Sequence, residues 1–271
     1  MGRDVDTGTD QLLCRVEDHV ATLMFNRPEH RNALGDIVTP ALREMLRVLE
    51  ADADVRAVVL TGAGKAFCAG GDVKGMGGSA PDERPLDDRI RELQHRQQTL
   101  TLRLRELSKP TIAALPGAAA GAGMSIALAC DLRIGSASAF YAPGFGRIGL
   151  SGDYGGSWLL TQLVGPAKAK EIYFTGRRVQ AEEALALGLL NEVVADGDLM
   201  ARTAELAGQI ARGPPLAIRY MKQNINRAAE ADFRTCLDWE ADRLVRVAQT
   251  QDHREAVRAF IEKRAPVFQG R

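Results

Sequence analysis

The 271-residue sequence predicts an α/β fold built from βα units and followed by a purely helical region. Three observations carry that prediction. The stretch PGAAAGAGMSIALACD, residues 116–131, follows the β-rich run Thr111–Leu115 and reads as strand, tight glycine/alanine turn and buried helix. Strand and helix patterns alternate through the first two thirds of the chain, as layered βα units require. From Leu199 onward only helical periodicity remains. The trailing helices need an apolar surface to cover. Residues 199–271 are therefore expected as a helical subdomain or subunit contact, residues 11–198 as the core and residues 1–10 as a disordered tail.

The elements follow in order. Leu12–Glu17 and Val20–Phe25 read as a hairpin joined at Asp18-His19, followed by a polar loop holding Arg27 and Arg31. Residues 36–51 place Ile37, Ala41, Met45, Val48 and Leu49 on one helical face. A short buried strand at 57–61 feeds a second glycine-rich loop, GAGKAFCAGGDVKGM. Residues 77–88, rich in glycine, proline and charge, are expected to be mobile. A helix then runs to Leu107 with Leu93, Leu100, Leu104 and Leu107 as its core stripe. Short strands are expected at 132–135 and 139–142, and a glycine-punctuated loop at 144–156 contains one acid, Asp153. Helices follow at 157–164, 167–174 and 181–187, and a strand at 191–194. The helical region comprises 199–211, 216–228, 233–248 and 253–263, with Phe233, Leu237, Leu244 and Val247 on one face.

Composition narrows the function. A formal net charge of zero argues against a broad nucleic-acid or anionic-membrane footprint. No apolar run approaches transmembrane length, and the N-terminal residues lack the apolar core of a secretory signal. A cytoplasmic protein is expected, with Cys14, Cys68, Cys130 and Cys236 as free thiols. The four histidines and four cysteines show no metal-ligand spacing, so no metal is expected. The loop at Gly62 departs from a dinucleotide fingerprint because Phe67 stands where its last glycine belongs, and it is not a Walker A loop. The turn at Gly117, Gly121 and Gly123 opens a helix whose free N–H groups suit an anion, either a resident phosphate or an oxyanion formed during reaction.

KAFCAGGDVK and PGAAAGAGMSIALACD together resemble the enoyl-CoA hydratase/isomerase, or crotonase, family. The resemblance continues through Asn26-Arg27-Pro28, Asn32-Ala33-Leu34, Ser108-Lys109-Pro110, GLSGDYGGS, Phe174-Thr175-Gly176, ALALGLLN and AFIEKRAPVF. It implies a crotonase-like spiral of ββα turns, a homotrimer or dimer of trimers, and an acyl-CoA substrate. Coenzyme A is then part of the substrate, with no separate cofactor. By motif, the backbone N–H groups of Gly71 and Ala122 would stabilise a thioester enolate, Ala122 standing where glycine is usual. Ala33, Ala69 and Val73 would line the CoA, with Ala69 and Val73 meeting the adenine. Arg27, Arg31 and Lys74 would meet its phosphates. Phe260 and Lys263 would contact it from the last helix, in the same or a neighbouring subunit. Asp72 would hold the CoA-contacting loop through backbone hydrogen bonds.

The sequence departs from the resemblance at the acids. Typical hydratases of this family use two glutamates; Ser125 and Phe145 stand at those positions. Asp153 remains, at a position where some isomerases carry an aspartate. Set among Leu150, Tyr154 and Trp158, it is expected to be partly desolvated with a raised pKa, although a turn or N-cap role also fits. One carboxylate suffices to move a proton between two carbons of an enoyl thioester. Double-bond isomerisation is thus favoured over hydration by a single-carboxylate site. The alternative to catalysis is a CoA- or RNA-binding member. Helix 36–51 carries Arg43 and Arg47 but no lysine, and Glu44 and Glu50 oppose them, so no nucleic-acid partner is expected.

Overall fold

The computed structural model describes residues 2–72 and 83–271. Its architecture follows from how consecutive strands divide between two sheets. The larger sheet contains, in spatial order, β1 (Arg3–Asp4), β2 (Leu12–Glu17), β3 (Val20–Phe25), β4 (Ala57–Gly62), β6 (Thr111–Leu115), β8 (Leu132–Ser136) and β11 (Glu192–Val194). The smaller has the order β10 (Val179–Gln180), β9 (Phe140–Ala142), β7 (Ala118–Ala120) and β5 (Ala66–Cys68). The chain thus lays β4, β6 and β8 in the large sheet and β5, β7 and β9 in the small one. Helices follow each pair, which gives the expected spiral of ββα turns. From β3 to β11 the large sheet is parallel, and β5, β7 and β9 are parallel to one another.

The helices are α1 (Val38–Ala51), α2 (Leu86–Gln97), α3 (Arg103–Glu106), α4 (Ala122–Ala129), α5 (Gly156–Thr175), α6 (Ala181–Ala186), α7 (Leu199–Ala211), α8 (Pro215–Ala228), α9 (Phe233–Ala248) and α10 (Gln251–Glu262). A π-turn, Gln98–Leu102, joins α2 to α3. Burial on both sides explains why β4 reads as a continuous apolar run. Val58 and Leu60 enter the main core with Leu42, Leu46 and Phe67, while Val59 faces Leu199 and Ala207 of α7. Phe25 and Phe67 meet edge to face at 5.7 Å. In the main core, α4 is buried along its whole length.

Four expectations change. The N-terminal segment is not a loose tail: β1 pairs with β2, and Arg3 and Asp4 form ion pairs with Asp52 and Arg15. Leu93 is exposed, so the core stripe begins only at Leu100, where the π-turn rotates the helix face inward. The helices expected at 157–164 and 167–174 are two halves of α5, broken at Gly165, where Pro166 cannot donate an N–H. Helix α7 covers the sheet itself, so the helical region begins inside the core rather than as a separate unit. Residues 77–82 of the stretch expected to be mobile lie outside the described residues, and Leu86 already begins α2.

A buried polar cluster ties the helical region to the βα core. Lys222 of α8 pairs with Asp131 at 2.7 Å and donates to the Lys109 carbonyl at 3.2 Å. The same Asp131 oxygen accepts the Thr111 N–H and hydroxyl at 2.7 and 2.9 Å. A buried ammonium left without its carboxylate is strongly destabilising, so this cluster fixes where α4 ends relative to β6.

Candidate active site

The site forms where β5, β7 and β9 end side by side, the carboxyl edge of parallel strands where ligand crevices form. β5 continues into Ala69-Gly70-Gly71, β7 into Gly121-Ala122, and β9 into Pro143-Gly144-Phe145. The first two loops touch. A Cβ on Gly70 would lie 2.7 Å from the Ala120 carbonyl oxygen and 3.3 Å from the Ala122 nitrogen. Gly70 also has φ +88, so glycine is required there on both counts. Ala122 opens α4, and the first N–H groups of a helix have no partner within it. Its φ is not positive, so alanine serves as well as glycine at this position.

The 69–71 loop is held from the other side by residues 31–34. Ala69 donates to the Arg31 carbonyl at 3.0 Å and Leu34 to the Gly70 carbonyl at 2.7 Å. Leu34 and Gly71 form a parallel bridge in which the Gly70 carbonyl is the acceptor, so the Gly71 N–H is not used in that contact. Buried Asn32 organises the support, donating to the Ala63 and Ala66 carbonyls at 2.9 and 2.7 Å and accepting the Arg27 N–H at 2.9 Å. Arg27 donates to the Ala33 carbonyl at 2.8 Å and stands 3.9 Å from Asp72. Arg27, Ala33 and Asp72 therefore brace the loop, whereas Arg31 is exposed. Val73 and Lys74 lie outside the described residues. Phe260 is 86% exposed and Lys263 closes α10 with φ 54, so in this chain neither is packed into the site.

Asp153 is attached to the first turn of α4. The Ser125 hydroxyl donates to the Asp153 carbonyl at 3.0 Å, and Gly156 N–H donates to the same oxygen at 3.2 Å. Tyr154, buried, adopts φ 51, a strained conformation for an aromatic residue and one that often marks a working loop. Asp153 Oδ1 is buried and has no hydrogen-bond partner among the described residues. Burial pushes its carboxyl up to about 6. Of the surroundings expected, Tyr154 is buried, whereas Leu150 and Trp158 are exposed. Instead Phe145 and Tyr173 stack at 6.2 Å, and Gly152 packs on the Tyr173 ring, 3.3 Å from Cε1 to a Cβ built there. Phe145 also reaches the turn that opens α4, its Cε1 3.8 Å from a Cβ built on Gly121.

Sequence reasoning thus missed two contributors. Ser125, which the sequence marks only as standing in for a glutamate, is the tether between α4 and the acid. Tyr173 lies in the helical stretch EIYFTG, immediately before the Phe174-Thr175-Gly176 motif but outside it. We expect Ser125→Ala to free the Asp153 loop and lower kcat about tenfold with little change in KM, because small displacements of a positioned group carry losses of this order or larger. Steady-state kinetics of the variant measure the split.

The enoyl-CoA hydratase/isomerase family model matches residues 15–271. The chain belongs to this family. Among its relatives in the enoyl-CoA hydratase/isomerase family is 1,2-epoxyphenylacetyl-CoA isomerase of Escherichia coli K12, 37% identical and covering 96% of this chain and 98% of the relative. Short-chain-enoyl-CoA hydratase of Clostridium acetobutylicum is 36% identical over 94% of this chain and 96% of the relative. The solved enoyl-CoA hydratase of Bacillus anthracis superposes with a TM-score of 0.90 at 33% identity, covering 96% of this chain and all of that one. At the positions where the sequence resemblance places the two hydratase glutamates, the chain carries Ser125 and Phe145. Among its described residues no helix is long and apolar enough to cross a membrane.

Proposed function

We propose that this enzyme shifts the double bond of an enoyl-CoA, with Asp153 as the single acid/base and the Gly71 and Ala122 N–H groups as the oxyanion donors. The observation that carries the reading is one partly buried carboxyl, its Oδ1 unpartnered among the described residues and its pKa raised to about 6, beside Ser125 and Phe145 in place of further acids. Asp153 takes a proton from C2 of a 3-enoyl thioester. The electron pair moves into the dienolate, whose oxygen the two donors hold, and the proton returns to C4 to give the 2-enoyl thioester. Each such donor is worth about 3–4 kcal/mol in comparable sites. Neutral N–H donors favour the developing charge without competing for the proton.

Hydration of a 2-enoyl-CoA is the second reading, supported by relatives named as hydratases. Supplying 3-enoyl-CoA and 2-enoyl-CoA separately distinguishes the two. Isomerisation predicts faster consumption of the 3-enoyl ester, with the 2-enoyl ester as product. Faster turnover of the 2-enoyl ester to a 3-hydroxyacyl product would replace the first reading with the second. For assembly, the exposed apolar residues Phe233, Leu237 and Leu244 of α9 and Phe260 and Ile261 of α10 support subunit contacts, as in a homotrimer or dimer of trimers, with Phe260 and Lys263 reaching a neighbour's CoA.

A further inference from the structure

Two buried polar atoms in this site have no partner among the described residues, Asp153 Oδ1 and the Tyr173 hydroxyl. Such atoms are almost always paired in folded proteins, so two in one cluster call for an explanation. Gly152, next to Asp153, and Gly156, whose N–H donates to the Asp153 carbonyl, both lie against Tyr173. A Cβ on Gly152 would lie 3.8 Å from the Tyr173 hydroxyl, and one on Gly156 would lie 2.7 Å from it. Yet the tyrosine does not bond the aspartate. The nearby Ser125 hydroxyl is already committed to the Asp153 backbone carbonyl. Burial and the Asp153 charge push the Tyr173 phenol up to about 12, so at neutral pH it is an O–H donor. The stacked Phe145 and Tyr173 rings supply an apolar wall beside these polar atoms.

A plain alkyl or alkenyl chain seated here would leave both atoms unpaired. An oxygen on the acyl chain would accept from Tyr173, and a hydroxyl there would also donate to Asp153. We propose that Tyr173 is a specificity-determining residue whose hydroxyl donates to an oxygen-bearing substituent of the acyl group, with Asp153 accepting in turn where that substituent is a hydroxyl. The preferred substrates are then acyl-CoA esters carrying a hydroxyl, ether or epoxide oxygen. This inference rests on the acyl-CoA reading above.

Isothermal titration calorimetry with unsaturated-bond-free probes tests it. Hexanoyl-CoA is compared with its three ether isosteres, propoxyacetyl-CoA, 3-ethoxypropanoyl-CoA and 4-methoxybutanoyl-CoA, which move one oxygen along a chain of constant length. At least one ether should bind the wild type about tenfold more tightly than hexanoyl-CoA, the scale of one buried hydrogen bond. Tyr173→Phe should erase that preference and bind hexanoyl-CoA at least as tightly as the wild type, which also shows that the variant is folded. Wild-type preference for hexanoyl-CoA over all three ethers, or an ether preference unchanged in Tyr173→Phe, would overturn the inference and leave the acyl-CoA reading intact. If none of the four esters binds the wild type, the acyl-CoA reading falls and this inference with it.

Discussion

Asp153→Asn is expected to lower isomerisation about 10²–10⁴-fold, the usual contribution of a positioned acid/base. The amide keeps the shape of the carboxyl and the tether from Ser125 to the backbone, so KM for the acyl-CoA should change far less than kcat. The wild-type rate should rise with pH through about 6, where the base form of Asp153 appears, and level off above it. The residual rate of the variant should lack that rise. Stability should move the opposite way. The folded-state pKa of Asp153 is raised from 3.8 to about 6, so between these values the native state binds more protons than the unfolded chain. The neutral form carries no penalty below pH 4, and stability is lost as pH rises through 6. The shift corresponds to about 3 kcal/mol at most. Asp153→Asn should therefore be more stable than wild type at pH 7, by up to about that amount, and no more stable at pH 4. Denaturant titrations at the two pH values, beside the kinetics, check both halves. An active variant, or one destabilised at pH 7, would contradict the assignment.

Gly123→Ala is expected to damage the donor pair itself. A Cβ at Gly123 would stand 2.3 Å from the Cys68 carbonyl oxygen and 2.8 Å from the Cys68 Cβ. The obstacle is mainly the backbone at the end of β5, which cannot swing aside as a long side chain would. Either α4 retreats or the strand end shifts, and in both cases Ala122 moves relative to Gly71. Losing the alignment of one oxyanion donor should lower kcat about 10²-fold. Overpacking should also destabilise the fold by about 1–3 kcal/mol. Gly197→Ala is the control, because a Cβ there meets nothing within 4 Å and φ is not positive. Its kinetics and unfolding midpoint should match wild type. A fully active Gly123→Ala would show that the two loops do not act as one site.

Much of the fold was legible because its larger elements carry their own signals. The β2–β3 hairpin shows alternation up to Asp18-His19, and both residues take the left-handed angles of a two-residue turn. β4 reads as a strand because both its faces are buried. The short strands β5, β7 and β10 have two or three residues and no usable pattern, since stacking on neighbouring turns of the spiral creates them. β1 has only Arg3 and Asp4, and pairing with β2 places it rather than propensity. The donor loops were legible from their glycines, which must let two backbones touch. The same composition could not reveal what holds Asp153. Ser125 lies 28 positions earlier in the chain, and Tyr173 lies on the far half of a kinked helix. Arg27 shows the converse case: a charge suited to phosphate is engaged by Ala33 and Asp72 once the chain folds.

Turnover of 3-enoyl-CoA in ¹⁸O-labelled water, followed by mass spectrometry of the acyl group, tests most directly whether one carboxyl moves one proton here. Internal proton transfer by Asp153 predicts a 2-enoyl product with no heavy oxygen in the acyl chain throughout the isomerisation. A 3-hydroxyacyl product carrying the heavy oxygen, formed as fast as the starting ester disappears, would contradict the account.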